Sequence, residues 1–257
     1  MKQDWKLHHI TLDDVKNRKI EVAVVPIGAT EPHNYHLPYG SDLFHSEYVA
    51  SESCRIANEL GANTIQLPPL PYGVDANMLE FPFAINVYQK TLNLLMKDIL
   101  DSLEYNKIRK VVILNGHGGN DFKPFLRELH PGSKSFVCCI DWWKVASDKY
   151  KEIFEFADDH SGEMETSVIM AMDSELVKMD KAKDGKFRET QFEAVNKGWV
   201  TIARRWDHLT DSSGVGYPMK ATKEKGEKYL RITIDRISQF LLELSQSTQT
   251  EKFPFIE

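Results

Sequence analysis

The sequence predicts a layered α/β fold, with a mostly parallel central sheet covered by helices on both faces. Short β-branched runs alternate with longer stretches of helical periodicity, the pattern of parallel strands joined by helical crossovers. Clusters of His, Asp and Glu stand next to the strand candidates, where the strand-to-helix loops of such sheets gather functional groups. Strands are expected at "IEVAVVPIG" (20–28), "NTIQLPPL" (63–70), "KVVILNG" (110–116) and "SFVCCID" (135–141). The first helix follows at 41–60, with Ser41 as its expected N-cap. In the second, 88–106, Leu92, Leu95, Ile99 and Leu103 recur at three- and four-residue spacing and predict one apolar face. "NDFKPFLRELH" (120–130) and "EMETSVIMAMD" (163–173) read as two more helices, and 222–246 as a long closing one.

The bulk composition fits one sizeable core. With 257 residues, 42% hydrophobic and 27% charged, a single domain spanning 1–257 is expected. Pro and Gly are scattered, and no repeat or linker-like stretch suggests a boundary. The three cysteines, two adjacent at Cys138 and Cys139, fit neither a disulfide framework nor a CxxC metal knuckle. They read as buried small hydrophobes in a reducing compartment. The opening "MKQDWKLHHITLDDVKNRKI" lacks the apolar core of a signal peptide, and no run of eighteen apolar residues occurs. A cytoplasmic protein is expected. A net charge of −6 without a basic stripe argues against nucleic acid or an anionic membrane as partner.

The chemistry concentrates in three stretches. "EPHNYHLPYGSD" (31–42) follows the first strand, "NGHGGN" (115–120) the third, and "ADDHSGEMETS" (157–167) runs into a helix. Glu31 and His33 are two apart, so in extended backbone they leave the same face. Asp42 opens a helix, where a carboxylate is electrostatically tolerated and able to bridge two cations. Sets of His and carboxylate suit zinc, manganese or iron rather than the all-oxygen shells of calcium. Each stretch has a bland reading as well. A single His beside a strand is more often a hydrogen-bonded histidine than a ligand, and "NGHGGN" competes with a phosphate cradle, although it lacks GxGxxG spacing. "HSGEMETS" reads equally as a helix with an acidic first turn. Trp142, Trp143 and Tyr72 are core or pocket wall. The convergence of three clusters favours a metal site.

Together "PIGATEPHNYHLPYGSD", "NGHGGN", "HSGEMETS" and "SGVGYPMKATKEKGE" resemble, in order and spacing, the motifs of the creatininase (creatinine amidohydrolase) family, over roughly residues 5–245. The resemblance implies an α/β layered fold, a homo-oligomer (a hexamer in creatininase itself) and opening of C–N amide bonds with one or two divalent ions. The family's first motif reads Glu-x-His-Gly, one further residue, His, then Asp; here Asn34 replaces the glycine and Pro32 the frequent glutamine. Carried over by position, Glu31, His33, Asp42 and His117 would be metal ligands, with Asp42 bridging. Glu165 would be a further ligand or act in catalysis. A water held by the metal would be acidified and attack the amide. His160 would shuttle its proton to the departing nitrogen, Asp159 would orient His160, and His36 would brace the loop.

Departures from the family pattern bear on substrate. Creatininase follows its metal-binding His with Tyr and a ligating Glu, and has Trp four residues before its catalytic His. This chain has Gly118, Gly119 and Phe156 there. Creatinine is therefore not the expected substrate. A wider, less polar pocket is expected, with Tyr72 and Trp142 as walls, suited to a bulkier cyclic amide, a formamide or a peptide end. Two other classes fit the sequence less well. A nucleotide-binding α/β protein would need a glycine fingerprint after its first strand, and "PIGATEPH" provides none. A catalytically inactive metal-binding relic or scaffold would have lost ligands or the proton-shuttling His first, and all are present.

Overall fold

The protein is described by a computed structural model covering residues 3–129 and 133–256. β1 (Val22–Ile27) pairs with β2 (Thr64–Gln66) on one side and β3 (Lys110–Asn115) on the other, and β4 (Phe136–Asp141) pairs with β3. The order is β2-β1-β3-β4, and every pairing is parallel. The helices in chain order are α1 (Leu12–Lys16), α2 (Ser41–Glu59), α3 (Gln89–Tyr105), α4 (Phe122–Leu129), α5 (Tyr150–Ile153), α6 (Glu163–Met172), α7 (Glu193–Asn196), α8 (Trp206–Leu209) and α9 (Lys223–Gln246). No described helix is long and apolar enough to cross a membrane.

Alternation along each strand splits the core in two. Val22, Val24, Val112 and Leu114 pack with α2, α6 and α9, while Ala23, Val25, Ile65, Val111 and Ile113 pack with α3 and α4. Both faces of the sheet are covered, as the alternating pattern predicts. Several expectations are corrected in detail. β2 stops at Gln66 because Pro68 and Pro69 have no N–H to give a ladder; Leu70 rejoins β1 at Ile27. The buried face of α3 is Leu92, Met96, Leu100 and Leu103, with Leu95 44% exposed and Ile99 only partly buried. The N-cap of α2 is Gly40, and the Ser41 hydroxyl donates to the Pro38 carbonyl instead of accepting from the helix. His130, expected to end α4, lies outside the described residues. Cys54 is buried, but Cys138 and Cys139 on edge strand β4 are only partly so.

The strand register positions the functional loops. Ile27, Asn115 and Asp141 stand side by side, so the loops that follow them leave one rim. There the first turn of α2 lies directly on the strand ends. A Cβ on Gly28 would fall 2.4 Å from Leu43 N, and one on Gly116 would fall 2.4 Å from Asp42 O. Glycine at both positions lets α2 carry Asp42 down to the rim.

This contact sets a stability test. Overpacking predicts that Gly28→Ala and Gly116→Ala each lose about 1–3 kcal/mol in urea unfolding. Gly118→Ala, with nothing within 4 Å of its Cβ, should match wild type. A Gly116→Ala protein as stable as Gly118→Ala would show that α2 does not need this approach.

Candidate metal centre

Three imidazoles at the rim are oriented in the same way. His33 Nδ1 lies 3.1 Å from the Glu31 carbonyl, His117 Nε2 3.1 Å from the Val74 carbonyl, and His160 Nε2 2.9 Å from the Pro32 carbonyl. A carbonyl only accepts, so each of these nitrogens carries the N–H. That leaves His33 Nε2, His117 Nδ1 and His160 Nδ1 for the interior. The "NGHGGN" loop is shaped to hold its share of this arrangement. Asn115 Oδ1 accepts from His117 N and from Asn120 Nδ2, while Asn120 Oδ1 accepts from Val74 N, the residue whose carbonyl orients His117.

The inward atoms meet buried carboxylates. His117 Nδ1 is 3.0 Å from Glu31 Oε1 and 2.9 Å from Asp42 Oδ2; His33 Nε2 is 3.0 Å from Asp42 Oδ1. Ligand atoms of Glu31, Asp42 and His117 lie within 4.8 Å of one another, and so do those of His33, Asp42 and Glu165. Asp42 belongs to both groups, presenting a different oxygen to each histidine. A third combination, Glu31, His33 and His160, meets the same limit. Burial pushes the Glu31 carboxyl well above its usual range, although His117 opposes this. Burial also acts on Asp42, but His33 and His117 hold it well below. His33 would lose its charge to burial, yet the Asp42 carboxylate raises it to about 10. Only cations or added protons can balance so many converging acceptors. Asp42 Oδ2 is fully buried, with His117 Nδ1 beside it at 2.9 Å. The donor set thus fits divalent ions that bind nitrogen and carboxylate oxygen.

The surrounding residues take different parts from one another. Burial lowers His160 to about 3, so its imidazole is neutral, with Nδ1 3.7 Å from Glu31 Oε1. Asp159, expected to orient it, instead turns outward to Arg204 Nη1 at 2.7 Å; the orienting group is the Pro32 carbonyl. His36 is buried and pairs through Nε2 with the Thr166 hydroxyl at 2.8 Å, tying the first loop to α6. The acidic start of α6 divides its duties. Glu163 accepts from Glu155 N and Phe156 N and pairs with Lys225, while Glu165 faces the centre, its carboxyl raised by burial to about 8. Asp75 escaped sequence reading. Fully buried, it sets Oδ1 3.2 Å from His117 Nε2. Its signal was position alone, on the loop after β2 at the same rim.

A pocket of about 210 Å³ opens over the centre, lined by Gly118, Gly119, Asn77, Trp143, Arg204 and Trp206 among others. Gly118 and Trp143 also border an adjoining groove of about 1420 Å³. Trp142 is not a wall: at 1% exposure it packs against His45 and Tyr229 in the core, and Trp143 reaches the pocket instead. Tyr72 and Phe156 are exposed away from the pocket lining, Phe156 stacking on Tyr217 at 4.7 Å.

The chain resembles known proteins over most of its length. The creatininase family model, described as creatinine amidohydrolase, matches residues 8–241. The chain belongs to the creatininase family. Over 242 residues it is 28% identical to creatinine amidohydrolase of Pseudomonas putida, covering 86% of this chain and 89% of that protein. It is 23% identical over 188 residues to 3-dehydro-scyllo-inosose hydrolase of Thermotoga maritima, covering 68% of this chain and 58% of that one. A crystallised candidate creatinine amidohydrolase from Bacteroides fragilis NCTC 9343 superposes with a TM-score of 0.91 at 36% identity, covering 98% of this chain and all of that chain. A manganese form of creatininase superposes at 0.75 with 23% identity, over 95% of this chain and 99% of that one, a likeness of fold.

At Asn34, where the family motif has glycine, the backbone keeps φ at +55°. The side chain adds ties glycine cannot make, accepting from Lys183 N and donating to the Lys183 carbonyl. Asn34→Gly should keep the fold's stability better than Asn34→Ala, which meets a left-handed penalty of about 1–2 kcal/mol. Both should speed proteolysis within 183–205. Equal stability of the two variants, by urea midpoint, would show that the backbone here is not held left-handed.

Proposed function

We propose that the chain is a metal-dependent amidohydrolase that cleaves a C–N amide bond of a small molecule or peptide end. The observation that carries this reading is the pair of buried ligand groups sharing Asp42, with a neutral His160 beside them. Glu31, Asp42 and His117 would hold one ion, and His33, Asp42 and Glu165 a second, each zinc, manganese or iron. Manganese and zinc–zinc forms of creatininase share the fold. When bound, such ions polarise an amide carbonyl and acidify water. His160 Nδ1, unprotonated and facing Glu31, takes a proton from the attacking water and returns it to the departing nitrogen. The Pro32 carbonyl keeps that nitrogen free by holding the ring's only N–H. His36 and Asp75 hold the surrounding loops and the His117 ring in place.

Creatinine is a poor candidate here. A side chain at Gly119 would place its Cβ 2.3 Å from His117 Nε2, so no carboxylate fits there without displacing the ligand. Phe156 supplies no lid over the pocket. The opening past Gly118 suits a longer amide. Among the relatives, the name mycofactocin precursor peptide peptidase belongs to proteins from several mycobacteria, and it matches this chain over a part only.

Elemental analysis of protein purified without chelator should find at least one zinc, manganese or iron per chain, and much less in Asp42→Ala. Stoichiometric metal without Asp42 would remove it from both groups. His160→Ala should keep its metal and lose about a hundred- to ten-thousandfold in turnover. An emptied site in that variant would make His160 a ligand, as the Glu31–His33–His160 grouping allows. Metal-replete protein should turn over a larger formyl or cyclic amide and leave creatinine untouched. Creatinine turnover in the ordinary enzyme range of about 1–1000 per second would overturn the substrate reading.

A further inference from the structure

We propose that Arg204 is a carboxylate-recognition residue, so that the ligands of this pocket are amides carrying a free carboxylate; the word amide rests on the hydrolase reading above. Arg204 is the only lysine or arginine among the described residues that line the metal pocket. It stands at the end of a stack leading out from the centre. The His160 ring meets Trp206 edge-on at 5.1 Å, and the Arg204 guanidinium lies over the same indole at 5.1 Å from its centroid.

Trp206 is a firm base for that cation. It is buried with Met78 and Val215 in a small core of its own, and its backbone N–H donates to the Asn77 carbonyl at 3.1 Å. Guanidinium stacking on an indole face fixes the plane of the fork without using its N–H groups. Arg205, next in the chain, turns the other way and pairs with Asp207 and Glu80. The two neighbouring arginines therefore face different surroundings.

Arg204 is not consumed by its own ion pair. Nη1 donates to Asp159 Oδ2 at 2.7 Å, but both side chains are 48% exposed, and an ion pair so wetted contributes little. Among the described residues Nε and Nη2 have no partner, which leaves one edge of the fork for a bidentate carboxylate. The other acids of the pocket cannot take that edge. Asp158 accepts from Gly162 N and Met164 N, and Glu31, Asp42 and Glu165 belong to the ligand groups. An anion at Arg204 would thus have its amide beside His160 and its charge at the mouth.

The test is calorimetric titration of metal-loaded protein with N-benzoylglycine and N-benzoyl-β-alanine, each beside its neutral carboxamide. Wild type should bind one of the acids at least about tenfold tighter than its carboxamide, the effect of one charge-assisted hydrogen bond or more. Arg204→Gln should bring acid and carboxamide within about twofold while leaving the carboxamide's affinity unchanged, and Arg204→Lys should restore part of the preference. Wild type that binds acid and carboxamide alike, or binds neither, overturns the proposal. So does a preference that survives Arg204→Gln, or an equal loss for both compounds, which would mean that Arg204 only props Trp206. The hydrolase reading fails separately: Arg204-dependent preference without cleavage of any amide in the panel would leave the carboxylate site standing and remove the reaction.

Discussion

Everything at the rim depends on three backbone carbonyls, those of Glu31, Pro32 and Val74, each taking the single N–H of one histidine. A neutral imidazole has one donor and one acceptor nitrogen, so fixing the donor fixes the acceptor. The result is that His33 Nε2, His117 Nδ1 and His160 Nδ1 all point at the same small volume. A backbone carbonyl is suited to this role because it cannot gain or lose a proton and moves only if its strand or loop moves. The orientation of the centre is therefore inherited from the loops that follow β1 and β2.

The cost of that arrangement is the burial of carboxylates that would rather be in water. Glu31, Asp42 and Asp75 are all almost inaccessible, and only opposite charges close by make this tolerable. It also demands tight geometry from the scaffold. Asp42 reaches the centre because α2 begins directly on the ends of β1 and β3, an approach that Gly28 and Gly116 make possible. Fold and site are coupled at this junction. The helix that covers one face of the sheet is also the one that supplies the shared carboxylate.

Much of this could be read from the sequence. The parallel strands followed from β-branched runs between helical ones, and the clusters around Glu31, His117 and Glu165 stood where such sheets collect function. What could not be read was set by three-dimensional packing. Met96 and Leu100 replace Leu95 and Ile99 on the α3 seam because a 3.6-residue period leaves neighbouring positions almost equivalent until the sheet chooses between them. Trp142 and Trp143 were indistinguishable in sequence, yet one turns into the core and the other into the pocket. Asp159 sits beside His160 in the chain but pairs with Arg204, while His160 turns to the Pro32 carbonyl. Trp206 and Arg204 come from a stretch with little regular structure and carry no motif at all.

The glycine at 119 is required by what lies beside it. The creatininase motif has a glutamate at this position, where this chain has Gly119. In the structure the space beside residue 119 is occupied by His117 itself, whose Nε2 would be 2.3 Å from any Cβ there, with the Val74 carbonyl equally close. A ring braced by Val74 and Asp75 and a side chain at 119 exclude each other. Glycine at 119 therefore lets His117 keep that brace, and Glu165 from α6 brings a carboxylate to the side of Asp42 facing His33. The space past Gly118 is left open toward the larger groove.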